Sequence, residues 1–254
     1  MIVSFSMSQS TSWNPEDYAR NARYVSDLGE PLLELLEPKA GEQILDLGCG
    51  DGVLTEKIAA AAAVIGVDTS FAQLQAARKR GLRVLVMDGH MLAFRQSFDA
   101  VFSNAALHWM QRPAEVVSCA WGVLKPGGRF VGEFGGDGNV NKIRSALHSG
   151  LRRRGVDPAR IDPWYFPSVE EYSKLLVRAG FTVGHIELIP RPTKLPGDIF
   201  GWLEVFGQCF IKAVPEADGA NFRNEVRNQL QPDLCDAQGN WIADYVRLRF
   251  KATR

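Results

Sequence analysis

Gln43-Ile44-Leu45-Asp46-Leu47-Gly48-Cys49-Gly50-Asp51-Gly52 is the stretch on which the reading of this chain turns. A short apolar run, a reasonable buried strand, enters a cluster of glycines and is followed by an alanine-rich segment, Val53 to Ala62, that reads as helix. The pattern then repeats. Ala63 to Val67 is a second apolar run ended by Asp68, and Phe71 to Lys79 has helical spacing. Leu82 to Met87 is a third strand ended by Asp88, and Phe98 to Ser103 a fourth. Ala114 to Leu124 reads as helix, Lys125-Pro126-Gly127-Gly128 as a turn, and Arg129 to Phe134 as a fifth strand. Strands this apolar, alternating with helices, predict a parallel sheet covered on both faces, an α/β fold.

On either side of this block the pattern changes. Asn14-Pro15-Glu16-Asp17 combines an N-cap, a proline for the first helical turn and early acids, and Tyr18, Ala22 and Val25 follow on one face. Pro31 to Leu36 is a second apolar stretch that stops at Pro38. After Phe134, Gly135-Gly136-Asp137-Gly138 reads as a loop, and Asn141 to Arg154 as a basic helix. Val169 to Ala179 is a further helix and Phe181 to Ile189 a strand. Ile199, Trp202, Leu203, Phe206 and Phe210 form an apolar stripe, and Pro215 opens a helix in which Phe222, Val226 and Leu230 share a face. Ile242 to Phe250 alternates, with Val246, Leu248 and Phe250 opposing Tyr245, Arg247 and Arg249, which predicts a half-buried antiparallel or edge strand. No repeat or low-complexity linker divides residues 1–254, so one domain is expected.

Bulk properties narrow the function. The 254 residues carry 29 Lys+Arg against 29 Asp+Glu, with 46% hydrophobic and 23% charged residues. That is the composition of a globular domain, and zero net charge lacks the basic signature of a dedicated nucleic-acid binder. Cys49, Cys119, Cys209 and Cys235 are far apart, without a Cys-x-x-Cys pair or clustered histidines, so neither a disulfide framework nor a metal site is expected. The opening MIVSFSMSQS lacks a cationic start, and Met7 is an alternative first residue. The apolar run from Ile58 to Val67 is too short to span a bilayer. A cytoplasmic protein acting without a membrane or nucleic-acid partner is expected.

A glycine turn between a parallel strand and a helix exposes backbone amides to a ligand, and an acid ending the next strand can accept from a ribose. Dinucleotides and S-adenosylmethionine both use this layout. A dinucleotide fingerprint would need a third glycine where Val53 stands, and Asp46 and Asp51 would repel a diphosphate. S-adenosylmethionine carries an ammonium and a sulfonium, for which the same carboxylates are favourable. Asp46, Asp68 and Asp88, each at a successive strand end, strengthen that reading.

With these residues the chain resembles class I S-adenosylmethionine-dependent methyltransferases, in particular the trans-aconitate methyltransferase-like group of small-molecule enzymes. The resemblance is carried by Trp13-Asn14-Pro15 with Tyr18, the ILDLGCGDG loop, Gly66-Val67-Asp68, Asp88-Gly89, Asn104-Ala105-Ala106-Leu107-His108-Trp109 and Leu124 to Gly128. It implies a Rossmann-like, seven-stranded, mostly parallel sheet with helices on both faces and an antiparallel last strand. It also implies a helical N-terminal lid over 13–38, a cofactor core over 42–134, and helical inserts over 138–180 and 191–240 that cap the substrate. By the same resemblance, Tyr18 borders the cofactor, and Asp46, Gly48, Cys49 and Gly50 hold its methionine end. Asp68 takes the ribose hydroxyls, with Thr69 and Gln73 beside the adenosine. Asp88 and Gly89 meet the adenine, and Asn104 and Ala105 close the fourth strand's end. Asp51 and Gln73 depart from the commoner residues of relatives at their positions.

Around this frame several residues carry two readings. His108 is a general base or a wall of the cofactor site, and Trp109 a substrate contact or packing. Cys49 reads as a loop filler rather than a nucleophile. Glu133 faces substrate or is a satisfied buried group. Asp162-Pro163-Trp164-Tyr165 superficially resembles the motif that holds a flipped base in DNA amino-methyltransferases, but it follows the fifth strand instead of the fourth. Trp164, Tyr165 and Phe166 are therefore expected in the cap core or the substrate pocket wall, with Trp164 and Tyr165 as substrate contacts. Arg152-Arg153-Arg154 is a solvated helix face or a clamp for a carboxylate, with Arg191 and Lys194 as rivals. The expected activity is methylation of a small molecule, with a carboxylate oxygen as a candidate acceptor. A silent cofactor-binding regulator and, less favoured, a nicotinamide-dependent oxidoreductase are the alternatives. The neutral total also hides a division, since acids crowd the first sixty residues and bases the stretch 142–160.

Overall fold

A computed structural model describes residues 29–254. The expected helix at Asn14, Tyr18 and most of the 13–38 lid lie outside the described residues. Helix α1 (Glu30–Leu36) begins with a proline in its first turn and stops at Glu37, which takes a left-handed conformation. The alternating block follows: β1 (Gln43–Leu47), α2 (Val53–Ala59), β2 (Ala63–Asp68), α3 (Phe71–Lys79), β3 (Val84–Val86), β4 (Phe98–Asn104), α4 (Pro113–Val123) and β5 (Leu124–Gly135). Beyond it come α5 (Asn141–Arg153), α6 (Val169–Arg178), β6 (Thr182–Lys194), α7 (Ile199–Phe206), α8 (Gln208–Lys212), α9 (Gly219–Leu234) and β7 (Ile242–Thr253).

The seven strands form one sheet in the order β3-β2-β1-β4-β5-β7-β6. β1 to β5 are parallel; β7 runs antiparallel to both β5 and β6. The strand order reverses between β1 and β4, which opens a crevice at their carboxyl ends. Leu32, Leu36, Leu54 and Ile58 of α1 and α2 bury one face of the sheet with Ile44 and Phe102. On the other face, Val116 and Ala120 of α4 and Tyr172 and Leu176 of α6 pack on Leu45, Val101, Phe130 and Phe250.

Four expectations need correction. The third strand is only three residues long and lies at the sheet edge, where Leu85 and Val86 are exposed. Lys125 to Gly128 does turn, with Gly127 at φ 78 and the β4 register jumping from Leu124 to Arg129, but it lies inside β5 and not before it, because the chain end pairs with it: Gly127 N donates to Arg254 O and Arg254 N to Gly128 O. The alternating final strand is antiparallel but not at the edge. That position belongs to β6, whose Pro190 and Pro192 a central strand would not tolerate. Finally, α6 falls within the expected 138–180 insert, yet it is a sheet-covering helix.

The remaining insert helices build a separate core. Ile143 and Leu147 of α5, Trp202 and Leu203 of α7, Phe210 of α8 and Phe222 and Val226 of α9 close around Trp164. The first half of β7 joins this cap through Ala243 and Tyr245, whereas its second half joins the sheet core through Leu248, Phe250 and Ala252. The buried face of β7 therefore switches between Arg247 and Leu248, both of which are buried. The expected pairing of Val246 with the buried face fails for this reason: Val246 is half-buried and Tyr245 is inside.

Candidate active site

The glycine turn after β1 is shaped by close approach. Gly48, Gly50 and Gly52 all have positive φ, and a methyl on Gly48 would overlap that of Ala106. Gly48 N and Cys49 N both donate to Val67 O, at 2.8 and 3.0 Å, tying the loop to the end of β2. Asp68 completes the tie. Its Oδ2 accepts from Gly50 N at 3.0 Å and its Oδ1 from Ser70 N at 2.8 Å, so the carboxylate is fixed while each oxygen keeps a second lone pair. Burial raises the Asp68 carboxyl above its ordinary range, against the pull of these amides.

Asp46 is 2% exposed at the end of β1 and accepts from Thr55 Oγ1 at 2.6 Å. Burial pushes its carboxyl up to about 7; the Thr55 hydroxyl opposes the shift and the Asp68 charge adds to it. Such a carboxyl is available to a cation brought in by a ligand. Burial likewise pushes the Cys49 thiol far up, and its sulfur lies against Gly66, as suits a filler. Asp88 behaves differently. Burial tends to raise it, but the His90 amide and ring on its Oδ1, at 2.9 and 2.6 Å, leave it below the usual range.

One cavity of about 340 Å³ gathers this loop and most of the expected residues: Asp46, Gly48, Cys49, Gly50, Asp68, Thr69, Gln73, Asp88, Gly89, Asn104, Ala105, His108, Trp109 and Trp164. The residues present fit the expected S-adenosylmethionine. A methyl on Gly50 would meet nothing within 4 Å, leaving its backbone open. Gln73 is 4% exposed, and its Oε1 is buried without a hydrogen-bond partner, an acceptor that a ligand donor can satisfy. Ala105 sits at φ 55, with its amide donating to Glu133 O at 2.7 Å. Val140, at the start of α5, has φ 44 although it is β-branched. Left-handed backbone at two lining residues is strain held by the surrounding hydrogen bonds and packing.

The far half of the cavity is aromatic. Trp164 stacks on Phe166 with ring centroids 5.8 Å apart and meets Trp109 and Trp202 at 6.0 Å each. Its backbone is set by Asp162, whose Oδ1 accepts from Trp164 N while Oδ2 takes Arg144 Nε at 2.5 Å and His148 Nε2 at 2.8 Å. In this extended segment successive side chains point opposite ways. Trp164 and Phe166 face the cavity, and Tyr165 does not line it; Tyr165 packs instead against the sheet core, which corrects its expected place in the pocket wall. Burial raises its phenol to about 12.

His108 lies between the two halves in a 3₁₀ turn (Leu107–Trp109), 7% exposed. Its Nδ1 accepts from Gly135 N at 3.3 Å, so the ring proton resides on Nε2. Burial first, and then the charge of Arg247, hold the imidazole well below its usual pKa. His108 is thus neutral and presents a donor.

None of the basic residues offered as a carboxylate clamp lines the cavity. Arg153 binds Glu225, and Arg154 binds Asp218 and Glu225, joining α5 to α9. Arg152 and Lys194 are exposed. Arg191 and Arg249 both pair with Glu133, which is thereby a satisfied buried group. The arginine that lines the cavity is Arg247, together with Asn139, Phe206 and Tyr245. Sequence reading set Arg247 on the polar face of an alternating strand; a crossover in burial along one strand has no signature in its residues. Among the described residues there is no cluster suited to a metal ion, and no helix long and apolar enough to cross a membrane.

Residues 45–132 match the family described as a methyltransferase domain. Over 253 residues the chain is 39% identical to an uncharacterised methyltransferase of Schizosaccharomyces pombe, C70.08c, across 94% of this chain and 97% of the relative. It is 34% identical over 262 residues to the trans-aconitate 2-methyltransferase of Deinococcus radiodurans, across 96% and 98%. Among solved structures, an S-adenosylmethionine-dependent methyltransferase from Mesorhizobium loti superposes with a TM-score of 0.55 at 20% identity, covering 89% of this chain and 96% of that one.

Proposed function

The chain belongs to the S-adenosylmethionine-dependent methyltransferases, and from that premise we propose that it methylates a carboxylate oxygen of a small organic acid. Its cofactor is S-adenosylmethionine, which supplies a methyl group on a sulfonium for in-line displacement. The expectation of a nicotinamide-dependent oxidoreductase ends with the family assignment.

The state of His108 carries the choice of acceptor. Hydroxyl and amine acceptors must lose a proton, and His108 is the side chain between the two halves of the cavity suited to take it. Yet its Nδ1 is occupied by the Gly135 amide, its Nε2 holds a proton, and its pKa is low. A carboxylate needs no base. Its lone pair forms the carbon–oxygen bond as the carbon–sulfur bond breaks, and no proton moves. In this reading Asp46, Asp68 and Gln73 hold the cofactor, His108 donates a hydrogen bond, and Trp109, Trp164 and Phe166 exclude water from the reacting oxygen. Several relatives bear the name trans-aconitate 2-methyltransferase, which makes trans-aconitate the first acceptor to offer.

The test is transfer of labelled methyl from S-adenosylmethionine to a panel of small carboxylic acids, phenols and amines. A carboxyl ester releases its label as methanol in mild alkali. Alkali-stable label on a phenol or an amine, with none on the acids, would overturn the proposal.

A further inference from the structure

Arg247 is a cavity residue whose surroundings the cofactor reading leaves unexplained. It is 7% exposed and lines the cavity, and its guanidinium lies over the Tyr245 ring, 4.4 Å from the centroid. Among the described residues no carboxylate pairs with it. Its neighbours in the sheet differ: Arg249, two positions along β7, and Arg191 on β6 share Glu133. The arginines of the cap, Arg144, Arg153, Arg154 and Arg227, also have acidic partners. A buried guanidinium without a counter-charge costs several kcal/mol. The fold keeps Arg247 there without using it to join two elements.

Its position suits an acceptor contact. In the β5–β7 ladder Arg247 stands opposite Gly135, the last residue of β5, at the carboxyl end of the parallel strands where the crevice lies. Gly135 is also the residue whose amide fixes His108. The cavity carboxylates Asp46, Asp51 and Asp68 belong to the glycine loop and the end of β2, and Asp88 follows β3. Arg247 also acts on His108, whose ring its charge helps to keep neutral.

We propose that Arg247 is a specificity-determining residue that binds the anionic group of the methyl acceptor, a step that rests on the carboxylate reading above. Its planar fork matches a carboxylate in a bidentate pair, and burial among aromatic rings strengthens that pair. The same rings would otherwise suit an ammonium acceptor. Arg247 removes that possibility, because it covers the Tyr245 face and repels a second cation. A neutral ester or amide in this place leaves the guanidinium donors unmet and is rejected for that reason.

The experiment uses the full chain saturated with S-adenosylhomocysteine. Trans-aconitate, its triester and a panel of mono-, di- and tricarboxylic acids are titrated by calorimetry and by fluorescence of Trp109, Trp164 and Trp202. For an acid that binds, Arg247→Met weakens its affinity about 30-fold or more, while S-adenosylhomocysteine affinity stays as in the wild type and the melting temperature does not fall. Arg247→Lys recovers part of the loss, since it keeps the charge and loses the fork. The triester does not bind. Wild-type affinity for the acid in Arg247→Met overturns the proposal, and if esters still form, the carboxylate reading survives alone. Binding of acids that are never esterified, lost in Arg247→Met, keeps the Arg247 assignment and overturns the carboxylate methylation. Failure of every acid to bind the wild type overturns both.

Discussion

The two halves of the cavity are built by different rules. The half proposed to hold the cofactor comes from residues 46–51, 68–69, 73, 88–89 and 104–106, in short segments at or after the carboxyl ends of parallel strands. Its lining is rich in backbone: amides freed by glycine and carboxylates pinned by amides. The half proposed for the acceptor draws on Asn139 and Val140, Trp164 and Phe166, Trp202 and Phe206, and Tyr245 and Arg247. These come from the cap and from an antiparallel strand, and the lining there is of side chains. One half is local in sequence and written in residue types; the other exists only after long-range packing.

The sharpest way to break this contrast is to add one methyl group to the cofactor half. Gly48→Ala combines a left-handed backbone (φ 77) with a clash against Ala106. Its expected cost is about 3 kcal/mol, read as about a 100-fold or greater loss of S-adenosylhomocysteine affinity by calorimetry. Near-normal affinity would mean that the loop is free to move and that backbone approach is not what defines this half.

Asp46 gives the next largest effect. Its carboxyl in the unliganded protein titrates near 7 instead of its ordinary 3.8, so between those values the folded chain holds a proton that the unfolded chain has lost. This group therefore favours the fold at low pH and ceases to do so as pH rises through about 7. Cofactor binding has the opposite sense, because the ammonium needs the ionised form. Below pH 7, S-adenosylhomocysteine affinity falls about tenfold per pH unit with release of one proton, measurable by calorimetry in buffers of different ionisation enthalpy. Asp46→Asn abolishes that slope.

His108 joins the halves and should give a smaller response. If it is a neutral donor, His108→Asn lowers turnover of a carboxylate acceptor less than about tenfold, with no change in the shape of the pH–rate profile between pH 5 and 8. Loss of the acid limb of that profile would restore His108 as a base. The smallest effect belongs to Ala105, where glycine relieves a left-handed conformation (φ 55). Ala105→Gly is expected to raise stability by about 0.5–1 kcal/mol in thermal unfolding, with cofactor affinity unchanged.

What could be read before the structure follows the same division. β1, α3 and β4 lie within a residue or two of their expected limits, because apolar period, glycine and terminal acids all act locally. Asp46 and Asp68 stand at the ends of their strands for the same reason, whereas Asp88 lies two residues past the shortened β3. Arg152 to Arg154 were more prominent as a run than Arg247, but a run of charge on a helix is answered by another helix, here α9. Arg247 stands alone in a strand of mixed pattern, and only the packing of the cap on Tyr245 puts it inside. Tyr165 shows the reverse error. Three consecutive aromatic residues were expected together, but an extended chain sends alternate side chains to opposite sides, so Trp164 and Phe166 line the cavity and Tyr165 between them does not.

β7 has one end in each hydrophobic core, with Arg247 at the changeover. Warming that loosens α5, α7 and α9 would withdraw support from Tyr245 and Arg247 while Leu248, Phe250 and Ala252 stay anchored to the sheet. The enzyme would then become less choosy before it became inactive, because discrimination among acceptors and retention of the cofactor melt as separate units.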